Sequence, residues 1–218
     1  MVMRGRIVVA TAIVSIVSGC FGNEATPFPP GLEPLEEVTV EAPAPTDGDT
    51  HPEVLAMASG ELGQYDWVQA RAWVKAPIED VYAAIRTVEV VVDHRAIDRW
   101  SVEHDTEPEY AHSFTIHNEI DEVITVEFDA AWRFGVVEGT EEAPDLVAAT
   151  WQKVYGTTFI DILRGSLLLH RVTDDVTEFE VVHHVRAASR GPEPLESYLR
   201  DMYANLVEVS HGRSVPTY

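Results

Sequence analysis

The chain has 218 residues and carries 37 acidic against 15 basic residues, which gives a formal net charge of −22 at pH 7. A protein that binds nucleic acid or anionic lipid needs clustered Lys and Arg, so this charge disfavours both partners. With 45% hydrophobic residues, the chain can bury the core of one ordinary domain of roughly 150 residues.

Residues 1–19 have the pattern of a secretory signal. Arg4 and Arg6 precede an apolar run over residues 7–17, which is shorter than the roughly 20 residues of a helix that spans a bilayer. The stretch "VSGC", residues 17–20, resembles the lipobox of bacterial lipoproteins, in which cleavage falls just before the cysteine. The resemblance implies that Cys20, the only cysteine, carries a diacylglycerol and an N-acyl chain.

The expected location is therefore the bacterial cell envelope, with the protein anchored to a membrane through Cys20 and the periplasmic and outer-membrane faces both left open. A plain signal peptide or an apolar anchor with an incidental thiol is the alternative. With Cys20 acylated, no disulfide can form within the chain, and the fold must be stable by packing alone.

Residues 20–60 are expected to form a disordered acidic linker. Residues 21–60 contain no Lys or Arg, eight acidic residues and seven of the thirteen prolines. Few large apolar side chains are present to offset the entropy of ordering such a stretch. A tail that binds a partner is the alternative, although no motif supports it.

A single folded domain is predicted over residues 61–213, followed by a short tail over residues 214–218. Apolar and polar residues alternate over residues 66–74, which predicts a strand. Pro77 suits the first turn of a helix over residues 77–88, whose apolar residues recur at a spacing of 3.6. A short second helix and an edge strand near residues 100–104 are expected next.

Alternation with a period of two dominates residues 112–188 and predicts an antiparallel series of strands. Their predicted bounds are 112–120, 124–136, 146–155, 158–163, 165–172 and 176–188. Thr173, Asp174 and Asp175 are expected to form a hairpin turn. Residues 195–209 then carry one apolar helical stripe, and Gly212 is placed to end this helix.

This order of elements resembles the START-type helix-grip superfamily, also called SRPBCC, which includes polyketide cyclase/dehydrase-like proteins, coenzyme Q-binding proteins and lipid-transfer domains. The stretches similar to that superfamily are residues 74–85, 165–187 and 195–212. The resemblance implies an α+β fold in which a curved antiparallel sheet of about six or seven strands wraps around the long C-terminal helix. It also implies a cavity between sheet and helix that holds an apolar or amphipathic small molecule.

Strand parity predicts the side chains on the inner wall of such a cavity. Most of them are apolar, and the polar exceptions are Asn118 and His183. An apolar chamber with a few polar groups is typical of ligand sites, although a fully packed core is the alternative. We expect ligand contacts from Asn118, Phe128, Trp132, Phe134, Leu169, His183 and Met202.

Motifs for metal, cofactor or nucleophilic chemistry are absent from the sequence. His183 and His184 point to opposite faces of one strand, and no paired cysteines or H-E-x-x-H motif occurs. We therefore expect no metal, no cofactor and no identifiable catalytic residue. A carrier of an apolar ligand is the first hypothesis. The alternatives are a cyclase- or hydratase-like enzyme with His183 as acid or base, and an envelope scaffold that presents Trp67 and Trp73 to a partner.

Overall fold

The computed structural model describes residues 25–121, 123–187 and 191–217. The predicted signal and the predicted acylation site at Cys20 lie outside these residues. Within them, no helix is both long and apolar enough to cross a membrane.

The described chain forms eight strands and three helices around one core. In chain order they are β1 (Leu55–Leu62), β2 (Tyr65–Val74), α1 (Ile78–Ile85), α2 (Val88–Val91), β3 (Arg99–His104), β4 (His112–Asp121), β5 (Thr125–Thr140), β6 (Ala143–Gly156), β7 (Ile160–Thr173), β8 (Val176–Ala187) and α3 (Glu193–Ser210). The strands form one sheet in the order β1-β2-β8-β7-β6-β5-β4-β3, and every neighbouring pair is antiparallel.

The predicted α+β fold, a curved antiparallel sheet with a long C-terminal helix, is confirmed. The sheet has eight strands instead of six or seven. The additional strand is β1, whose side chains are mostly half-buried because it lies at an edge of the sheet. The two strands predicted over residues 158–163 and 165–172 are one continuous strand, β7.

Helix α3 lies on the concave face of the sheet through its apolar stripe, in which Leu199, Met202 and Leu206 are fully buried. The helix ends as the sequence predicts. Gly212 has a φ of 73°, its N–H donates to the Val209 carbonyl, and the N–H of Arg213 donates to the Glu208 carbonyl, both at 2.9 Å. This pair of bonds is a Schellman motif, which needs a residue in the left-handed conformation at the glycine.

Residues 25–54, called the N-terminal segment below, lie against the convex face of the sheet. The Leu35 N–H donates to Ser166 Oγ, and the Thr39 N–H donates to Gln69 Oε1, both at 2.9 Å. Val38 is buried. The structure therefore differs from the predicted disordered linker over the described residues 25–60, because polar groups on the outer face of the sheet satisfy a segment that has no core of its own.

Trp67 and Trp73, which the scaffold hypothesis places on the surface, are partly covered by neighbouring segments, the alternative that the sequence left equally open. Trp73 Nε1–H donates to the Pro43 carbonyl at 3.0 Å, and His51 packs edge-on against the Trp73 indole with ring centroids 4.9 Å apart. Trp67 lies half-buried over Gly60 of the neighbouring strand. Cover by the N-terminal segment and β1 removes the surface that the scaffold hypothesis needed.

Candidate functional site

A partly open cavity of about 190 Å³ lies between the concave face of the sheet and the N-terminal half of α3. Its lining is mostly apolar. The sheet contributes Ile116, Asn118, Ile120, Phe128, Ala130, Trp132, Trp151, Ile160, Leu163, His183 and Val185. The opposite side consists of Val91, Val92, Asp93, Ala96 and Ile97 from α2 and the loop after it, and of Pro194, Leu195 and Tyr198 from α3.

The cavity occupies only half of the concave face because α1 fills the other half. Ile78, Val81, Tyr82 and Ile85 of α1 are buried against the sheet and the C-terminal half of α3. Side chains beneath α1 are therefore buried in the core, whereas those beyond its reach border the cavity.

The predicted ligand contacts divide along this boundary. Asn118, Phe128, Trp132 and His183 line the cavity. The structure does not place Phe134, Leu169 or Met202 at the cavity. Each of these three is fully buried in the core. For Phe134 and Leu169 the reason is that parity along a strand fixes the face of a side chain and not its position relative to α1. Met202 is further along the buried stripe of α3 than the cavity residues Leu195 and Tyr198.

Trp151 is the central cavity residue that the sequence reasoning missed. Its indole stacks on Trp132 with ring centroids 4.3 Å apart and an interplanar angle of 13°. The indole lies over Gly165 of β7, where an added Cβ would come within 1.9 Å of Trp151 Cζ2. Gly165 thus makes room for Trp151. The available signal was parity, since Trp151 shares its face with the buried Val147 and Ala149.

His183 is held in one neutral form by Trp151. Trp151 Nε1–H donates to His183 Nδ1 at 3.1 Å in a buried hydrogen bond. Since an indole N–H can only donate, Nδ1 must be the unprotonated nitrogen, and the proton of the neutral ring is on Nε2. Burial, with a smaller contribution from the neighbouring His184, lowers the pKa of His183 to about 3, against the weaker opposing effect of the Arg164 carbonyl.

This arrangement does not favour the enzymatic alternative. A histidine with a pKa of about 3 carries no acidic proton to donate at neutral pH, and its basic lone pair already accepts from Trp151. His184 faces away from the cavity, as predicted, and lies under the N-terminal segment with its Nε2 3.5 Å from Glu36 Oε1. Among the described residues, no cluster of three or more His, Cys, Asp or Glu side chains could hold a metal ion.

Asn118 adds a polar group to the apolar wall. Its Nδ2 donates to the carbonyls of Ile116, at 3.0 Å, and Phe128, at 3.4 Å. These bonds fix the orientation of the amide and leave its oxygen without a hydrogen bond to any described residue. The Asn118 oxygen can therefore accept from a hydroxyl or N–H of a molecule in the cavity.

Two further polar residues border the cavity on the helix side. Oδ1 of Asp93 accepts from the N–H groups of Arg95 and Ala96 at 3.1 and 3.2 Å, and burial raises the pKa of this carboxyl. Tyr198 donates from its hydroxyl to the Val91 carbonyl at 2.9 Å, and burial raises its pKa as well. The Tyr198 bond joins α3 to α2 and closes one side of the cavity.

Comparison with solved structures identifies the fold. Human StAR-related lipid transfer protein 5 matches with a TM-score of 0.51 at 8% identity over 72% of this chain and 82% of that one. Human STARD10 matches with a TM-score of 0.50 at 8% identity over 71% and 69%. The Zhui aromatase/cyclase from Streptomyces sp. R1128 has a TM-score of 0.44 at 10% identity over 68% and 92%.

The chain therefore has the START-type helix-grip fold. No family model matches the chain, and no curated protein matches it. At the identities of these structural neighbours the likeness establishes the fold, while function has to be argued from the cavity itself.

Proposed function

We propose that this protein is a lipoprotein, anchored to a membrane of the bacterial cell envelope, that binds or carries a small apolar ligand in its cavity. The observation that carries the proposal is the cavity of about 190 Å³ with apolar walls beneath α3. One neighbour with the same fold is named human StAR-related lipid transfer protein 5, which agrees with an apolar ligand.

The size and lining of the cavity define what it can hold. An apolar cavity of about 150 Å³ holds a benzene molecule, so this cavity has room for a compact ligand of one or two rings. Trp132, Trp151 and Phe128 supply flat apolar surface, and Asn118 supplies one acceptor. Burial of such a ligand is favourable by about 25 cal/mol for each Å² of apolar surface removed from water.

Anchoring rests on the sequence around Cys20. Two or three acyl chains give stable membrane attachment, whereas one chain gives only marginal binding. Mass spectrometry of the mature protein should find an N-terminus at Cys20 with the added mass of the acyl groups. A chain that retains residues 1–19, or a free thiol at Cys20, would contradict the anchor without affecting the cavity.

Ligand binding can be tested directly on the full chain. Native mass spectrometry of protein extracted gently from its host should detect a co-purifying apolar molecule, and a fluorescent apolar probe should compete with it. Ala130→Leu adds three carbon atoms to the cavity wall and should abolish probe binding. The matched control is Ala83→Leu on the exposed face of α1, which should bind as the wild type does.

The outcome that contradicts the proposal is equally definite. If neither a co-purifying molecule nor probe binding is found, the cavity is an unused void. If Ala130→Leu and Ala83→Leu bind the probe equally, the probe occupies a site elsewhere, and the cavity loses its assigned role.

A further inference from the structure

Exposed apolar side chains concentrate at one end of the sheet. This cavity end consists of the last residues of β1 and β6, the β1–β2 turn (63–64), residues 123–124 before β5, the β6–β7 turn (157–159) and the first residues of β3. Among the described residues nine large apolar side chains are exposed, and the six at the cavity end are Leu62, Trp100, Val123, Ile124, Tyr155 and Phe159. The other three, Val54, Val137 and Val172, are at the opposite end.

The cavity is at the same end as these side chains. Its lining includes Ile120 from the end of β4, Ile160 and Leu163 from the start of β7, and Val185 from the end of β8. Exposed apolar side chains gathered at the same end of the sheet as an apolar cavity suit a surface that meets an apolar partner.

The chain also reaches the sheet at the cavity end. Thr26 is fully buried there, with its N–H donating to the Lys153 carbonyl at 2.8 Å and its Oγ accepting from the Leu163 N–H at 3.2 Å. Five residues lie between Cys20 and Thr26, so six steps along the chain join them, and a chain spans at most about 3.6 Å per step. An acylated Cys20 would therefore hold the cavity end within about 20 Å of the lipid surface.

Some of the charges near the cavity end are paired, with two arginines against three carboxylates. Arg99 forms ion pairs with Glu119 and Asp121, and Arg186 forms one with Asp161 at 2.9 Å. Such pairing contrasts with the net charge of −22 of the whole chain. Because the acidic Glu61 and Glu127 also lie at this end, the surface suits a zwitterionic bilayer better than an anionic one.

We propose that the cavity end is a membrane-contact surface. Ile124 and Phe159 enter the headgroup region of a zwitterionic bilayer, and Trp100 and Tyr155 lie at its boundary, where amphipathic aromatic rings are favoured. The opening of the cavity then faces the lipid, so that an apolar ligand can pass between bilayer and cavity with little exposure to water. This inference deepens the proposed function and rests on its ligand cavity, and the anchor at Cys20 would hold the surface near the bilayer.

Nitroxide labels on the full chain in phosphatidylcholine vesicles test this orientation. Ile124→Cys and Phe159→Cys place the label at the cavity end, and Val137→Cys and Val172→Cys are matched controls at exposed apolar positions of the opposite end. Labels at 124 and 159 should be accessible to oxygen and protected from a water-soluble nickel chelate. Labels at 137 and 172 should show the reverse. Equal accessibility of both ends to the nickel chelate would overturn the proposal.

The same four label positions in a Cys20→Ser chain separate this surface from the anchor. The parent chain without an introduced cysteine should take up no label if Cys20 is acylated. Uptake of label at Cys20 refutes the anchor alone. If labels at positions 124 and 159 of the Cys20→Ser chain are protected from the nickel chelate at high vesicle concentration, the membrane-contact surface is supported without the anchor. If these labels are not protected and Cys20 of the parent chain takes up label, both the surface and the anchor are refuted.

Discussion

Acidification should destabilise this fold through His183. The ring is only 5% exposed and its pKa in the folded state is about 3, against an ordinary value near 6.5. Between these two values the unfolded chain binds a proton that the folded chain does not, so stability is complete above pH 6.5 and falls as the pH is lowered towards 3. At pH 4.5, two pH units below the unfolded pKa, the loss from this one group is about 3 kcal/mol.

Urea unfolding at pH 7 and at pH 4.5 measures this loss. Other groups contribute to the same change, among them His184, whose pKa burial also lowers, so the comparison is with a variant that cannot titrate at position 183. In His183→Asn the amide oxygen can replace Nδ1 as the acceptor for Trp151 Nε1–H. The wild type should lose about 3 kcal/mol more than this variant between the two pH values.

The control is the same substitution at an exposed histidine of the edge strand β3, His104. His104→Asn measures how much the exchange of a histidine for an asparagine, without loss of the buried ring, changes the difference between the two pH values. If His183→Asn also follows the wild type in parallel from pH 7 to pH 4.5, His183 is not held neutral by burial. The reasoning about the cavity as a dry apolar site would then be wrong.

Three further substitutions test the contacts around the cavity and the N-terminal segment. Trp151→Phe keeps an aromatic ring but leaves the buried His183 Nδ1 without a donor, which should lower the free energy of unfolding by about 1–3 kcal/mol; an unchanged urea midpoint would contradict the hydrogen bond. Gly165→Ala should cost about 1–3 kcal/mol and shift the tryptophan emission, since its Cβ overlaps the Trp151 indole; wild-type stability and emission would show that the indole lies elsewhere. Gln69→Leu removes the acceptor for Thr39 and should make the N-terminal segment a site of limited proteolysis while the sheet stays intact; wild-type resistance would mean that this bond does not hold the segment.

The local pattern of apolar and polar residues was sufficient to predict which face of a strand or helix each side chain occupies. Side chains alternate strictly along a strand, so parity alone placed Asn118, Phe128, Trp132 and His183 on the concave side, where the structure has them. The helix over residues 195–209 followed in the same way from its apolar stripe, and its end followed from Gly212. These features depend on neighbours within a few residues, which the sequence displays directly.

The same pattern could not predict where on the concave face of the sheet a side chain lies, beneath α1 or at the cavity. Phe134 and Leu169 share the concave face with the cavity residues, yet both are enclosed because α1 packs over that half of the sheet. Where α1 ends on the sheet is a tertiary property with no local signal. Trp151 shows the same limit, since the space for its indole comes from Gly165 on a neighbouring strand.

The N-terminal segment was misjudged for a related reason. Its proline content and acidity are typical of disorder, and nothing within it could form a core. Its partners are distant in sequence: Leu35 meets Ser166 and Thr26 meets Leu163, each more than a hundred residues away. Composition describes what a segment can bury by itself, whereas this segment is ordered by a surface that the rest of the chain has already built.

The volume of the cavity restricts the ligand more than its chemistry does. About 190 Å³ encloses one or two rings, so a molecule with a long acyl chain could not lie wholly inside. To enlarge the chamber, α3 would have to separate from α2, which the Tyr198–Val91 hydrogen bond and the ion pair between Arg95 and Asp201 oppose. Because the cavity is partly open, a longer ligand could extend out of it, and under the proposed membrane contact it would extend at the cavity end. A bound lipid would then keep its polar or its distal part in the bilayer, and the cavity would hold one end of the molecule out of water.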